Sequence, residues 1–257
     1  MHTTSLKTAA LLGALATVEA RPSQNRRDII TALPENASDL ELRFQPWLDF
    51  DTDGCYNTAA VDPSGYTNPG HDATGTPQGD CRDPHQLENS NVYSRSRCNN
   101  GFCAIMYEYY FEKDQANPAS FLSGHRHDWE NIVVFTKDDA VVRVSPSCHA
   151  KYSHATDSPP LGDGTHPQIV YHKDGTFTHC FRIANDDDIS GPENYTGEFY
   201  RSPLVGWNGW PNDGVWQALV DAWPSGVCPK WLDSEFENAL RNAMGDSVSG
   251  FDPSYDE

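Results

Sequence analysis

Short apolar runs bounded by turn residues fill the middle of this chain, and they limit its fold more than any other feature. Runs rich in Ile, Val, Tyr and Phe occupy residues 104–111, 131–135 and 140–144. Runs of this length and composition, ended by Gly, Asp or Asn, are typical of β-strands. The central part of the chain is therefore predicted to form several short strands.

A hairpin is predicted around the Asp-Gly dipeptide at 174–175. Residues 169–172 and 177–183 flank this dipeptide, which favours a tight turn between antiparallel strands. In the second arm, the odd-numbered residues from Phe177 to Ile183 share one face, as expected for a strand with a period of two residues.

Helical patterns occur towards the two ends of the chain. Apolar residues recur every four positions from Leu40 to Leu48 and predict a short helix with one buried stripe. Residues 215–223 form a second predicted helix. Ser234 and Glu237 form a capping box that predicts the start of a third helix. The residues expected along that helix are Phe236, Leu240 and Met244.

The segment between the first helix and the strands has a different composition. Residues 49–91 are dense in Gly, Pro, Asp, Asn and Thr, which predicts a loop-rich layer. Because short antiparallel strands are combined with helices near the chain ends, the predicted fold is mainly β: an antiparallel β-sandwich with a few peripheral helices.

The N-terminus predicts export. Residues 1–20 contain a basic residue, a short apolar run and a final Ala, the pattern of a secretory signal peptide. Residues 21–29 are expected to be flexible, with a dibasic processing site at Arg26-Arg27 as one interpretation. Residues 30–257 are long enough for one sizeable core and are predicted to form a single domain.

The chain contains seven cysteines, at positions 55, 81, 98, 103, 148, 180 and 228. In a secreted protein such cysteines are expected to form structural disulfides. The number is odd, so at least one thiol is unpaired or pairs with another chain. The sequence alone leaves the connectivity open.

The formal net charge of −19 argues against a nucleic-acid partner. An anionic surface is also repelled by anionic lipid at long range. A membrane partner would therefore have to be recognised through a specific headgroup or a bridging cation.

The densest cluster of ionisable residues is the segment 125–130, which holds two imidazoles, two carboxylates and the Arg126 guanidinium. Carboxylates brought together repel one another unless a cation compensates. Asp128 and Glu130 project on the same face of an extended chain, and Asp114 lies just upstream. Oxygen-rich ligation favours Mg²⁺ or Ca²⁺, with Mn²⁺ as a further choice. A surface loop cross-linked by salt bridges is an equal alternative on spacing alone.

Other candidate motifs carry less weight. The EF-hand-like start at 49–54 lacks the Glu required at its twelfth position, which is Ala60. The sequence has no zinc-protease motif, nucleophile elbow or phosphate-binding glycine loop, so no enzyme is predicted. A metal-assisted hydrolase with Glu130 or His127 as general base remains an alternative.

Trp207 and Trp210, flanked by Gly and Pro, are candidates for headgroup or membrane contact.

The heptapeptide 124–130, Gly-His-Arg-His-Asp-Trp-Glu, resembles letter for letter the signature of the necrosis- and ethylene-inducing peptide 1-like proteins. The resemblance extends upstream through 104–115 and covers most of residues 30–245. It implies a β-sandwich similar to actinoporins and fungal lectins. It also implies secretion by a plant-associated microbe, for which a fungal effector is the expectation, into the host apoplast.

The resemblance also implies a site and a role. The residues that carry over as cation ligands, directly or through water, are Asp114, His125, Asp128 and Glu130. Arg126, His127 and His179 are then supporting residues. In cytolytic members the cation serves recognition of a plant plasma-membrane sphingolipid headgroup, glycosylinositol phosphorylceramide, followed by membrane damage and necrosis. A non-cytolytic elicitor or binding protein is the alternative, and a monomer is expected.

Three further expectations follow from the resemblance. The disulfides of the family correspond to Cys55 with Cys81 and to Cys98 with Cys103. The region 104–130 resembles a peptide that plant immune receptors detect. A departure lies at 117–122, which lengthens the connection between Asp114 and His125.

Overall fold

The computed structural model describes residues 29–118, 124–223 and 226–257. The predicted signal peptide, the segment 21–28 with its dibasic pair and most of the insertion at 117–122 lie outside these ranges. Within them, no helix has the length and apolar character that would be needed to cross a membrane.

The described residues form two β-sheets and a set of short helices. The strands are β1 Trp47–Phe50, β2 Val92–Asn99, β3 Phe102–Gln115, β4 Gly124–Lys137, β5 Ala140–Pro146, β6 Leu161–Gly162, β7 His166–Lys173, β8 His179–Ile183 and β9 Leu204–Gly206. The helices are α1 Asp39–Arg43, α2 Pro84–Glu88, α3 Asp186–Ser190, α4 Asp213–Asp221 and α5 Phe236–Ala243.

The larger sheet has the strand order β5-β4-β3-β2-β9, and the smaller one is built around β7, which pairs with β1, β6 and β8. Most neighbours are antiparallel, as predicted. The pairings of β1 with β7 and of β2 with β9 are parallel. A mainly β fold with two sheets and a few helices is therefore confirmed, with parallel pairing at two places that the sequence did not indicate.

The central strand β3 is buried on both faces because its side chains alternate between two apolar cores. Ile105, Tyr107 and Phe111 enter the core between the two sheets. There the Phe111 ring stacks on Tyr171 of β7 with ring centroids 4.0 Å apart. Met106 and its even-numbered neighbours enter a second core beneath the C-terminal helices.

This arrangement forms three layers: the smaller sheet, the larger sheet and the α4–α5 layer. The residues of the α4–α5 layer that enter the second core include Val215, Leu219, Trp231, Phe236 and Leu240. Strands β3 and β4 are the longest in the fold, at 14 residues each, and run side by side through the middle of it. Side chains at their shared end are consequently held on a rigid base.

Two of the predicted helices exist, but they begin and end at residues other than those predicted. The helix predicted along 40–48 ends at Arg43, and Leu48 lies in β1 instead. Pro46 explains the difference, because proline restricts the residue before it and cannot donate a helical hydrogen bond. Residues 215–223 fall largely within α4, as predicted.

The capping box predicted at Ser234 and Glu237 is wrong. The N-cap of α5 is Glu235, and no side chain caps this helix. The carbonyl of Leu232 accepts hydrogen bonds from the amides of Glu235 and Phe236, both at 2.9 Å. Ser234 therefore lies inside a turn that precedes the helix, where its hydroxyl cannot serve as the cap.

The predicted hairpin exists, but its second strand begins later than expected. β8 starts at His179, and the chain from Asp174 to Thr178 forms the connection. Phe177 belongs to this connection and is 65% exposed. The prediction that Phe177 belongs to the second strand is therefore wrong, because a longer loop replaces the two-residue turn.

The cysteines form three disulfides, Cys55–Cys81, Cys98–Cys103 and Cys148–Cys180. The first two are the pairs that the resemblance implied. Cys228 is free. The third bridge joins the turn after β5 to β8, close to the heptapeptide.

Candidate metal centre

The predicted ligands lie at the shared end of β3 and β4. In the antiparallel register, Tyr109 is opposite Glu130, Phe111 is opposite Asp128, and Asp114 is opposite His125. Because opposite residues of a pair share a face, Asp128 and Glu130 point towards the smaller sheet, as their spacing predicted. They continue the face that Phe111 fills with an aromatic ring.

Phe111 precedes Asp114 by three residues in β3. Strict alternation would therefore place their side chains on opposite faces of the sheet. The Asp114 carboxylate nevertheless contacts His179 of the smaller sheet. The pairing of β3 with β4 is interrupted between Phe111 and Lys113, where neither Glu112 nor His127 is a paired residue and His127 has a φ of 59°. Beyond this interruption, the Asp114 carboxylate lies on the side of the smaller sheet.

Asp114 is held by His179. The His179 backbone N–H donates to both carboxylate oxygens at 3.1 and 3.0 Å, and Nδ1 of its ring lies 2.8 Å from Oδ1. Burial opposes the imidazolium, but the hydrogen bond and negative charge of Asp114 outweigh it and raise the pKa of His179. His179 therefore fixes the carboxylate in position.

Glu130 is held by Ser147, at the end of β5. The Ser147 hydroxyl donates to Oε2 of Glu130 and accepts the backbone N–H of Asn131 at 2.8 Å. Burial, followed by the charge of Asp128, raises the pKa of Glu130 well above its ordinary value. The hydrogen bond from Ser147 opposes this rise without cancelling it.

Asp128 is buried close to the negative charge of Asp114. Burial, followed by the charge of Asp114, raises its pKa to about 7. Within the described part of the chain, Oδ2 of Asp128 is buried and has no hydrogen-bond partner. We call Asp114, Asp128 and Glu130 the acid cluster.

His125 lies beside this cluster. Nδ1 of its ring is 2.8 Å from the backbone carbonyl oxygen of His127, which leaves Nε2 as its ligand atom. Burial opposes protonation, but the charge of Asp128 prevails and raises the pKa of His125.

Arg126 and His127 point away from the acid cluster. Arg126 donates to the Pro69 carbonyl oxygen at 2.8 Å and pairs with Asp72. Nδ1 of His127 lies 2.6 Å from the Tyr110 hydroxyl. Both side chains therefore connect the heptapeptide to neighbouring segments, and their role in supporting a cation site stays a prediction.

The acid cluster borders a cavity of about 590 Å³ between the strand ends and the C-terminal segment. This size is in the range of small-molecule sites. Its polar lining, apart from the predicted ligands, includes Asn131, Ser147, His149, Tyr152, Thr178, Lys230, Glu235, Asn238 and Asn242. Most of these residues come from segments distant from the heptapeptide and carry no motif, so the sequence did not single them out.

The donor set fits a hard divalent cation. Three buried carboxylates that repel one another, one with an unpartnered oxygen, gain stability from a positive charge. Among the described residues, the only group of three or more possible ligands whose atoms all lie within 4.8 Å of one another is Cys148, His149, Asp174 and Cys180, and its two cysteines form a disulfide. The predicted ligands are less closely spaced, so a cation held by all of them would need water or small side-chain movements.

Trp207 and Trp210 do not line this cavity. They belong to a tryptophan cluster with Trp216 and Trp231, in which the ring centroids of Trp207 and Trp216 are 4.6 Å apart. Trp210 stacks on the buried Tyr93 ring with an interplanar angle of 3°. Packing alone accounts for these indoles, and contact with a headgroup or membrane stays a prediction.

Comparison with known sequences identifies relatives over most of the chain. The model of the necrosis inducing protein (NPP1) family matches residues 38–243. NLP effector protein 10 of Phytophthora capsici is 35% identical over 241 residues, which cover 90% of this chain and 94% of that protein. Necrosis-inducing protein NPP1 of Phytophthora nicotianae is 38% identical over 117 residues, 44% of this chain and 47% of its own. These oomycete relatives give no support to a fungal source.

Solved structures show the same fold. Necrosis and Ethylene inducing Protein 2 from the agent of cocoa's Witches Broom disease aligns with a TM-score of 0.70 and 27% identity, over 84% of this chain and 95% of its own. NLPPya in complex with mannosamine gives 0.69 and 28%, over 84% and 97%. The non-toxic HaNLP3 protein gives 0.69 and 29%, over the same shares. On the family match and these alignments, the chain belongs to the NPP1 family of necrosis-inducing proteins, which includes the NLP effectors.

Proposed function

We propose that this protein is a secreted, non-enzymatic cytolysin of the host apoplast. In this proposal it binds a plant plasma-membrane sphingolipid headgroup, glycosylinositol phosphorylceramide, through a divalent cation and then permeabilises the membrane. The single observation that carries the proposal is the acid cluster at the edge of a cavity that also presents several polar side chains. Family membership supports the necrosis-inducing role.

The acid cluster explains why a cation belongs in this function. Asp114, Asp128 and Glu130 are each less than a tenth exposed, in a chain with a net charge of −19. An anionic headgroup would be repelled from these carboxylates unless a cation stood between them. Mg²⁺ or Ca²⁺, or less favourably Mn²⁺, would supply that charge and accept headgroup oxygens as ligands.

The rest of the cavity suits a sugar-bearing ligand. Asn131, Asn238 and Asn242 offer amides, and Tyr152 and Thr178 offer hydroxyls. Such groups can both donate and accept hydrogen bonds, as the hydroxyls of a sugar require. Complexes of NLPPya with mannosamine and with glucosamine show that a structural relative binds amino sugars.

A non-cytolytic elicitor of the same fold is the second candidate. One specific observation favours it: HaNLP3, which shares this fold, is non-toxic. The region 104–130 would then be the part that a plant immune receptor recognises. β3 is almost wholly buried, whereas residues 124–127 of β4 are exposed or half-buried. Such a receptor would therefore reach 124–127 in the folded protein but would need an unfolded or cleaved chain to reach β3.

The test is leakage of dye from vesicles that contain the sphingolipid, with Ca²⁺ or Mg²⁺ present. Glu130→Gln keeps the shape of the side chain but removes its charge, so leakage is expected to fall at least roughly tenfold. Asp49→Asn is the matched control. Asp49 is also buried, but its carboxylate accepts backbone N–H groups of Glu193 and Asn194 outside the site.

Leakage by Glu130→Gln at the wild-type rate, with an unchanged circular dichroism spectrum, would separate the site from the activity. Immune signalling in eudicot leaves without leakage from vesicles or necrosis would replace the cytolysin proposal with the elicitor. Loss of leakage in both variants would point to damage to the fold.

A further inference from the structure

We propose that the Cys148–Cys180 disulfide positions the acid cluster, because each of its cysteines directly follows a residue that holds one of the acids, Glu130 or Asp114. The part of this inference that concerns cation affinity rests on the proposed function. The positioning itself rests on hydrogen bonds and covalent connections, and it is tested without a cation.

The first arm of this connection runs from Cys148 to Glu130. Cys148 directly follows Ser147, whose hydroxyl donates to the Glu130 carboxylate. The same hydroxyl accepts the backbone N–H of Asn131, the residue after Glu130. Ser147 therefore fixes both the backbone and the side chain at this end of β4, and its own position depends on the chain at Cys148.

The second arm runs from Cys180 to Asp114. Cys180 directly follows His179, which binds Asp114 through its backbone N–H and its ring. Cys180 is fully buried. A shift of β8 at Cys180 would therefore move the main support of Asp114.

The turn after β5 needs such an anchor. His149 and Ala150, which follow Cys148, have φ values of 51° and 61°. Non-glycine residues adopt this left-handed conformation at an energetic cost, so surrounding contacts must hold it. The backbone N–H of Phe181 donates to the Ser147 carbonyl oxygen at 3.0 Å. The disulfide adds a covalent tie across the same gap.

A second disulfide offers a matched control. Cys98 and Cys103 face each other across the hairpin formed by β2 and β3. Cys103 lies near the opposite end of β3 from Asp114. Removal of this bridge is therefore the same chemical change, because it also replaces two bridged cysteines, but it leaves both arms intact.

The experiment compares C148A/C180A with C98A/C103A by hydrogen exchange and by calorimetric titration with CaCl₂. We expect faster exchange at 128–131 and 178–181 in C148A/C180A. We also expect Ca²⁺ affinity to fall roughly 10–100-fold, the range for loss of groups that orient metal ligands. In C98A/C103A, exchange in these two segments and Ca²⁺ affinity should match the wild type.

Each outcome separates this inference from the proposed function. If wild-type protein binds Ca²⁺ and folded C148A/C180A shows wild-type exchange and affinity, the positioning is overturned and the cation site stands. If the wild type binds no Ca²⁺ or Mg²⁺ but exchange rises in both segments, the positioning stands and the proposed function fails.

Should C148A/C180A fail to fold, Ser147→Ala tests the first arm with the disulfide intact. It should give faster exchange at 128–131, weaker Ca²⁺ binding and unchanged exchange at 178–181. Wild-type exchange at 128–131 in this variant would overturn the positioning.

Discussion

The acid cluster and the tryptophan cluster lie on the same scaffold but use burial in opposite ways. The carboxylates of Asp128 and Glu130 are buried against like charge, which raises the pKa of both. Trp231 is equally buried, but its neighbours are other aromatic rings, including Trp216 at a centroid distance of 5.1 Å. The first arrangement costs stability and provides a site, whereas the second stabilises the fold.

The largest expected effect is that of Trp231→Ala. Trp231 is 1% exposed, and truncation of a buried tryptophan typically costs about 3–5 kcal/mol of unfolding free energy. Urea unfolding of this variant measures the loss. Trp207→Ala, at a half-buried member of the same cluster, should cost clearly less. Equal costs would contradict the packing described for the tryptophan cluster.

The next effect comes from added cation. A ligand that binds only the folded state stabilises it by about 2.7 kcal/mol at a concentration one hundred times its Kd. CaCl₂ or MgCl₂ should therefore raise the Tm of the wild type, and EDTA should reverse the rise. A Tm that does not depend on either cation would remove the acid cluster from the class of metal sites.

In the absence of cation, Asp128→Asn should raise the free energy of unfolding, whereas Trp231→Ala should lower it. The amide removes one buried charge from the cluster, so we expect a gain of about 1–2 kcal/mol in unfolding free energy. In EDTA at neutral pH, chemical denaturation would show this gain. The rise in Tm on addition of CaCl₂ should be lost in the same variant. A variant less stable than the wild type in EDTA would show that Asp128 makes a favourable contact.

The last effect depends on pH and is expected at Glu108, a buried acid that accepts the backbone N–H of Lys230, the residue before Trp231. Burial raises its pKa from 4.5 to about 8. The folded state thus holds a proton that the unfolded state releases, and stability is lost as pH rises from about 4.5 to about 8. Glu108→Gln keeps an acceptor and removes this dependence.

The Tm difference between Glu108→Gln and wild type should therefore grow with pH over that interval, with EDTA present throughout. At pH 4.5 the two proteins should unfold at similar temperatures. A difference that is constant with pH would assign the effect of the substitution to packing rather than to ionisation.

The sequence predicted the central strands well because their apolar runs are long and end in turn residues. It did not predict β2, in which Arg95 and Arg97 replace apolar residues on one face. The guanidinium of Arg95 lies 3.8 Å from the centroid of the Trp207 ring, so its stem and charge are covered by aromatic surface. Arg95, which is a polar residue in the sequence pattern, is therefore part of a packed layer in the structure.

The heptapeptide and Asp114 could be found from spacing and resemblance, but the groups that orient them could not. Ser147 is one of many serines, and it contacts Glu130 only because β4 and β5 pair. His127 illustrates a different limit. Its backbone is left-handed at the point where the pairing of β3 with β4 is interrupted, and a pattern of alternate residues does not contain this information.

The two parallel strand pairings have a consequence for how the chain reaches this structure. β1 pairs with β7 and β2 pairs with β9, and each pairing joins segments more than a hundred residues apart in sequence. Contacts of such long range slow folding, because the entropy of closing a large loop is lost before the contact forms. The first strands to be synthesised can therefore complete their pairing only after some of the last strands have been made.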